Sequence, residues 1–143
     1  MSIKQLSVFV ENKPGRLAEI TETIAAKGVN IRALSISDTT EFGILRLIVS
    51  DPEAAVAALK EAGFTVSLTE VLAILIDDEP GGFCKALKVL NAAEIAIGYV
   101  YAFTSRTDGK AFVLVHVEDI QRAVEVLSAG GVSVAKSTEV YGM

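Results

Sequence analysis

Residues 11–16 read ENKPGR, and residues 77–82 read DDEPGG. Each hexapeptide follows an apolar run, SVFV or AILI, and each precedes a helical pattern, LAEITETIAAKG or FCKALKVLNAA. A proline-glycine pair at such a junction has two readings. In the first it is punctuation, a plain strand-to-helix turn with Asn12 capping the helix. In the second, the N–H groups that a first helical turn leaves unpaired meet a ligand. Helix starts favour carboxylates and other anions. Gly15 has no Cβ to hold a ligand off, and Asn12 can donate to a carboxylate or accept from an ammonium. The residues alone leave both readings open.

Working outward, the two junctions prove to be parts of one repeat. Val8 aligns with Ile74, Val10 with Ile76, Pro14 with Pro80, Gly15 with Gly81, Leu17 with Phe83 and Ile31 with Ile97, always 66 residues apart. Gly43 and Gly109 keep that spacing, whereas Val56 and Val124, Leu59 and Leu127, and Val66 and Val134 are 68 apart. Two residues have therefore entered near His116. Repeats are sought first because they set the architecture. Here they divide the chain into copies at 1–69 and 70–143.

Each copy has the same order of elements. Alternation over residues 3–10 reads as a strand. Pro14 suits the first turn of a helix running to about Lys27, with Leu17, Ile20 and Ile24 on one face and Gly28 beyond its end. In NIRALSIS, Ile31, Ala33, Ser35 and Ser37 alternate with Arg32, Leu34 and Ile36, which predicts a strand. A turn over 38–42 and the strand ILRLIVS follow. Asp51 as N-cap and Pro52 as first residue open a second helix that ends at Gly63, before a last strand, FTVSLTE. The second copy predicts strand 71–76, helix 80–92, strands 95–104 and 110–117, helix 119–128 and strand 132–136. The order β-α-β-β-α-β is the split βαβ, or ferredoxin-like, motif. The fold class is α+β: two ferredoxin-like domains in tandem, each an antiparallel sheet with both helices on one face. The other sheet face is bare in a single copy, so two copies can cover one another.

The composition narrows the function. The chain has 143 residues, net charge −5 and scattered Lys and Arg. A nucleic-acid binder gains affinity from a basic patch, so nucleic acid is not an expected partner. No apolar run approaches the ~20 residues of a membrane-spanning helix, and the N-terminus lacks a signal-peptide pattern. One cysteine, Cys84, excludes an internal disulfide framework and suits a reducing cytoplasm. Cys84 and His116 have no evident partner for nucleophilic chemistry, and both read as structural residues, Cys84 as buried or semi-buried filler. Asp77, Asp78 and Glu79 lack calcium-loop spacing, and acidic residues before a helix suit its dipole. No G-x-x-x-x-G-K phosphate loop occurs. The expectation is a non-catalytic protein without metal or cofactor.

The series V-x-V-E-N-K-P-G-R-L-A-E-I, K-G-V-N-I and G-I-L-R-L-I-V resembles the ACT domain, a small-molecule sensing module. The likeness covers the chain as two copies, closely in the first and more loosely in the second. The resemblance implies a regulatory, allosteric protein that binds a free amino acid where two ACT domains meet. In serine-sensing members the Asn residues of E-N-x-P-G and G-V-N contact the effector, which corresponds to Asn12 and Asn30. A histidine of those members falls on Val10 here, a departure from the serine pattern. In the second copy the Asn positions become Asp78 and Ala96. The implied ligand-binding set is Asn12, Pro14, Gly15, Arg16, Leu17, Asn30 and Ile31, with Asp78, Gly81, Gly82, Phe83 and Ile97. Asp78 would hold an ammonium and the Gly81 and Gly82 amides a carboxylate. Leu17 or Phe83 would line the side-chain pocket. The alternative is that the second copy serves only as a scaffold. A homodimer is expected. The rival reading is a ligand-free regulatory subunit that docks on a metabolic enzyme. The tail KSTEVYGM extends a sheet edge or folds over a cleft.

Overall fold

The computed structural model describes residues 2–38 and 41–143. The elements are β1 (Ile3–Glu11), α1 (Arg16–Ala25), β2 (Ile31–Asp38), β3 (Phe42–Val49), α2 (Pro52–Glu61), β4 (Val66–Asp77), α3 (Gly82–Ala92), β5 (Tyr99–Thr107), β6 (Lys110–His116), α4 (Ile120–Ala129), β7 (Ser133–Val134) and α5 (Ser137–Tyr141). They form two compact units. The first comprises Lys4–Thr69 with Tyr141–Met143, and the second Glu70–Val140 with the residues preceding Lys4.

In the first unit β3 lies between β1 and β2, antiparallel to both. The split βαβ order requires this: β1 and β2 run parallel around an inserted strand. β1 alternates, and its Leu6 and Val8 stand opposite Leu47 and Leu45 of β3. Those four side chains share one sheet face. Ile20 and Ile24 of α1 and Ala55 and Leu59 of α2 cover that face and complete the core. The second unit repeats the plan, with β6 between β4 and β5 and with β7 on the far edge of β4. Leu72, Ile74, Val113 and Val115 meet Ala86 and Leu90 of α3 and Ala123 and Leu127 of α4. Fully burying one such aliphatic side chain contributes about 1.5–3 kcal/mol.

α2 begins as its sequence predicts. Asp51 accepts from the Ala54 N–H at 3.2 Å, and Pro52 follows as the first helical residue. Asp119 accepts likewise from the Arg122 N–H at 3.1 Å at the start of α4.

Several expectations are corrected. Pro14 and Pro80 do not open α1 and α3, which start two residues later. Gly15 (φ 87°) and Gly81 (φ 85°) stand between as left-handed N-caps. A left-handed residue cannot continue a helix backwards, so each proline is left in the preceding turn. FTVSLTE and residues 71–76 do not form separate strands; they join in β4. The strand expected from 95 begins at Tyr99. In β2 the register shifts between Ile31 and Ala33, which breaks the predicted alternation. Ile31 therefore stands opposite Val49, and Leu34 and Ile36 opposite Leu47 and Leu45, all on the helix side of the sheet. Ala33 and Ser35 face the other way, opposite Ile48 and Arg46. Cys84 is exposed rather than buried, because α3 turns Ala86 and Leu90 inward. The predicted turn at 38–42 falls partly on residues 39 and 40, outside the described residues. The tail is helical in α5. Tyr141 then joins the first unit, where its hydroxyl accepts from the Lys4 N–H at 2.8 Å and its carbonyl from Arg32 at 3.1 Å.

Candidate functional site

The turn between β1 and α1 is built from a few backbone bonds. The Asn12 N–H donates to the Glu41 carbonyl (3.0 Å), the Lys13 N–H to Glu11 (2.8 Å), the Arg16 N–H to Lys13 (3.3 Å) and the Glu19 N–H to Gly15 (3.0 Å). The Gly15, Leu17 and Ala18 N–H groups have no acceptor among the described residues. The turn between β4 and α3 repeats this bond for bond. Asp78 donates to Gly109 (2.9 Å), Glu79 to Asp77 (2.9 Å), Gly82 to Glu79 (3.0 Å) and Lys85 to Gly81 (3.0 Å). Gly81, Phe83 and Cys84 are left with unpaired N–H groups among the described residues. Each unit thus presents three amides at the positive end of a helix, where an anion is favoured.

Asn12 does not cap α1, which has no side-chain cap. Its carboxamide makes no hydrogen bond among the described residues. Asn30 is tied by its backbone: its N–H donates to the Ser50 hydroxyl at 2.9 Å and its carbonyl accepts from the Ser50 N–H at 2.9 Å. The side chain of Asn30 stays exposed at the start of β2. In the second unit Ala96 and Glu118 occupy the places of Asn30 and Ser50, and His116 that of Ile48. The His116 ring stacks on Tyr99 with centroids 4.6 Å apart.

The remaining predicted residues are spread over several surfaces. Pro14, Gly15 and Leu17 are exposed at the first turn, as are Asp78 and Gly81 at the second. Ile31 packs on the first core and Phe83 on the second, so Phe83 is only partly open to a ligand. Arg16 lines a cavity of about 350 Å³ in the first unit. Gly82 lines one of about 110 Å³ in the second unit. Ile97 lines another of about 420 Å³, with Ala96, His116 and Arg122. These three cavities divide Arg16, Gly82 and Ile97 between them. Sequence reasoning missed Glu19 and the phenylalanines around Arg16; the signal was available in the repeat, where they have dissimilar counterparts.

The carboxylates beside the turns are held by lysines. The Lys13 ammonium, 3.0 Å from Glu11, keeps that carboxyl below the ordinary glutamate value, mainly through its hydrogen bond and then its charge, with Arg16 adding less. Lys110 does the same for Asp77, with a smaller effect from Lys85. Groups depressed in the folded state add stability above their unfolded pKa and lose it as pH falls through the folded one. The Glu11 carboxyl is therefore expected to titrate below an ordinary glutamate in a ¹³C NMR titration. Lys13→Met should return its midpoint upward, and an unchanged midpoint would show that the lysine is not the cause.

Among the described residues no group of three or more His, Cys, Asp or Glu side chains is placed to hold a metal. Among the same residues no helix is long and apolar enough to cross a membrane.

No curated protein matches the sequence. A crystal structure of a protein from Bacteroides thetaiotaomicron is 38% identical, superposes with a TM-score of 0.93, and is matched over 100% of this chain and 98% of that one. The ligand-free regulatory subunit of aspartate kinase from Thermus thermophilus is 14% identical, with a TM-score of 0.64 and coverage of 89% and 91%. Aspartate kinase from Synechocystis is 20% identical, with a TM-score of 0.60 over 93% of this chain and 26% of the kinase. These two likenesses concern the fold alone. The duplicated βαββαβ order, the paired Pro-Gly turns and a family model for an ACT domain pair that matches residues 1–141 agree, and the chain belongs to the ACT domain pair family.

Proposed function

We propose that the protein is a regulatory module that binds a small zwitterion, an amino acid, on the amides of its Pro-Gly turns where two ACT domains pair. The ligand carboxylate docks on the Gly15, Leu17 and Ala18 amides or on their counterparts at Gly81, Phe83 and Cys84. Asn12 and Asn30, or Asp78, receive the ammonium. Leu17 and Ile31, or Phe83 and Ile97, contact the side chain, and Pro14, Arg16 and Gly82 shape the entrance. The observation that carries this reading is the identical set of three unpaired amides in both units. The fold shared with a kinase regulatory subunit supports the regulatory part. Such a ligand signals only if it binds one domain arrangement better than another.

A second reading has its own support. Leu17 (41% exposed), Leu34 (46%) and Ile36 (50%) are open on the helix side of the first unit. They suit a regulatory subunit that dimerises or docks on a metabolic enzyme without a ligand. Thermal-shift measurements with each of the twenty amino acids separate the two. A ligand at about 100 times its Kd stabilises by about 2.7 kcal/mol, which raises the Tm by roughly 5–10 °C for a chain of this size. Gly15→Ala should abolish the response if the first turn is the site, and Gly81→Ala if the second is. No shift with any amino acid would reject the sensor in favour of the docking subunit.

A further inference from the structure

We propose that the cavity between the start of α1 and the end of α2 in the first unit is a binding site for a small organic cation bearing a primary ammonium group. Its lining includes Phe9, Phe42 and Phe64, the acidic Glu11 and Glu19, and Ala62 and Gly63 just beyond α2. Phe9 is 52% and Phe42 42% exposed, and their rings meet at 5.5 Å and 55°. An exposed phenyl pair is a poor way to fill a surface, but ring faces attract a cation. The Ala62 and Gly63 carbonyls accept no hydrogen bond among the described residues. They stand at the negative end of the α2 dipole, which also favours positive charge. Arg16 reaches Glu19 through one nitrogen at 3.1 and 3.3 Å. This exposed pair is weak and can yield to an entering ammonium.

The second unit supplies the argument for an ammonium. The repeat places Leu75 at the position of Phe9, Asp77 at Glu11, Gly82 at Arg16, Lys85 at Glu19 and Val132 at Phe64, and these five residues line the 110 Å³ cavity. There the Asp77 carboxylate already holds the ammonium of Lys110. Phe42, which stands opposite Glu11 as Lys110 stands opposite Asp77, replaces that lysine in the first unit, and Glu11 there meets the ammonium of Lys13, 3.0 Å away, which is not among the residues lining the cavity. Gly82 also lets the start of α3 close on β4: a Cβ there would lie 1.9 Å from the Asp77 carbonyl oxygen. Arg16 carries a side chain at the matching point, and the cavity beside it is larger, about 350 Å³. The duplicated fold thus has one copy of the cavity with lysines in its lining and another that is wider, aromatic, more acidic and lined by no lysine among the described residues.

The test is an NMR titration of the amides of the intact chain with n-propylammonium chloride, using propan-1-ol and sodium chloride as controls. The probe has no carboxylate, so its outcome is independent of the turn amides. Saturable shifts are expected at residues around Phe9, Glu19, Phe42 and Gly63, with propan-1-ol and sodium chloride producing neither. Glu19→Gln should weaken binding about tenfold, as loss of a charged hydrogen-bond acceptor does. Phe9→Leu should weaken it about threefold. Both positions are exposed, and unchanged spectra elsewhere would certify the folded state. Absence of saturable shifts, equal shifts with propan-1-ol or sodium chloride, or undiminished binding in Glu19→Gln would overturn the proposal.

Discussion

Gly82→Ala is expected to destabilise the protein by about 2 kcal/mol or more, against the usual preference of a helix for alanine. Gly82 is the first residue of α3, where alanine would ordinarily gain about 1 kcal/mol over glycine. The added Cβ, however, meets the Asp77 carbonyl oxygen at 1.9 Å and its carbonyl carbon at 2.9 Å. The obstacle is backbone, at the end of β4, and no side chain can swing aside to relieve it. Either α3 or the strand end must move, and each is held by the second core through Leu90 and Ile74. Denaturant unfolding should show a lower midpoint, and Tm should fall by about 4–8 °C. Arg16→Ala at the matching point of the first unit should change stability by no more than about 0.5 kcal/mol. If Gly82→Ala were as stable as the parent, α3 would not pack against β4 as described.

The other large effect is expected at Leu59. This side chain is fully buried between α2 and the sheet of the first unit, among Leu6, Ile20, Leu45 and Ala55. Leu59→Ala should cost about 3 kcal/mol, made up of lost transfer energy and the cavity left behind. Leu59→Met keeps the volume and should cost less than about 1.5 kcal/mol. Leu17→Ala is the informative contrast. Leu17 is equally apolar and also helical, but 41% exposed, and its truncation should cost well under about 1 kcal/mol. Equal losses at Leu17 and Leu59 in urea unfolding would show that Leu17 is core, and would remove it from any ligand or docking surface.

The candidate turns were legible because their chemistry is local. Proline, glycine and Asn12 sit within six consecutive residues, and the repeat points to them twice. The cavity beside Arg16 was not legible, because it gathers Phe9, Glu19, Phe42 and Gly63 from four separate elements. Only the alignment of the copies hinted at it, by pairing phenylalanines with Leu75 and Val132. The exposure of Cys84 was likewise hidden, since it depends on the rotation of α3 about Ala86 and Leu90.

What the sequence by itself determined was the duplication, the βαββαβ order and, on α1, the inward face at Ile20 and Ile24, though not the exposure of Leu17 beside them. Periods of two and 3.6 residues, with Pro and Gly at the breaks, are local properties that survive without a partner segment. The tertiary structure decided the rest: the left-handed glycines that set each proline outside its helix, the shift at Arg32 that turns Leu34 and Ile36 to the helix side, and the fusion of two expected strands into β4. It also carried Tyr141 back to Lys4, 137 positions earlier. These depend on pairings between distant residues, such as Ile31 with Val49 and Phe9 with Thr65, whose energies outweigh the small local preferences that sequence patterns record.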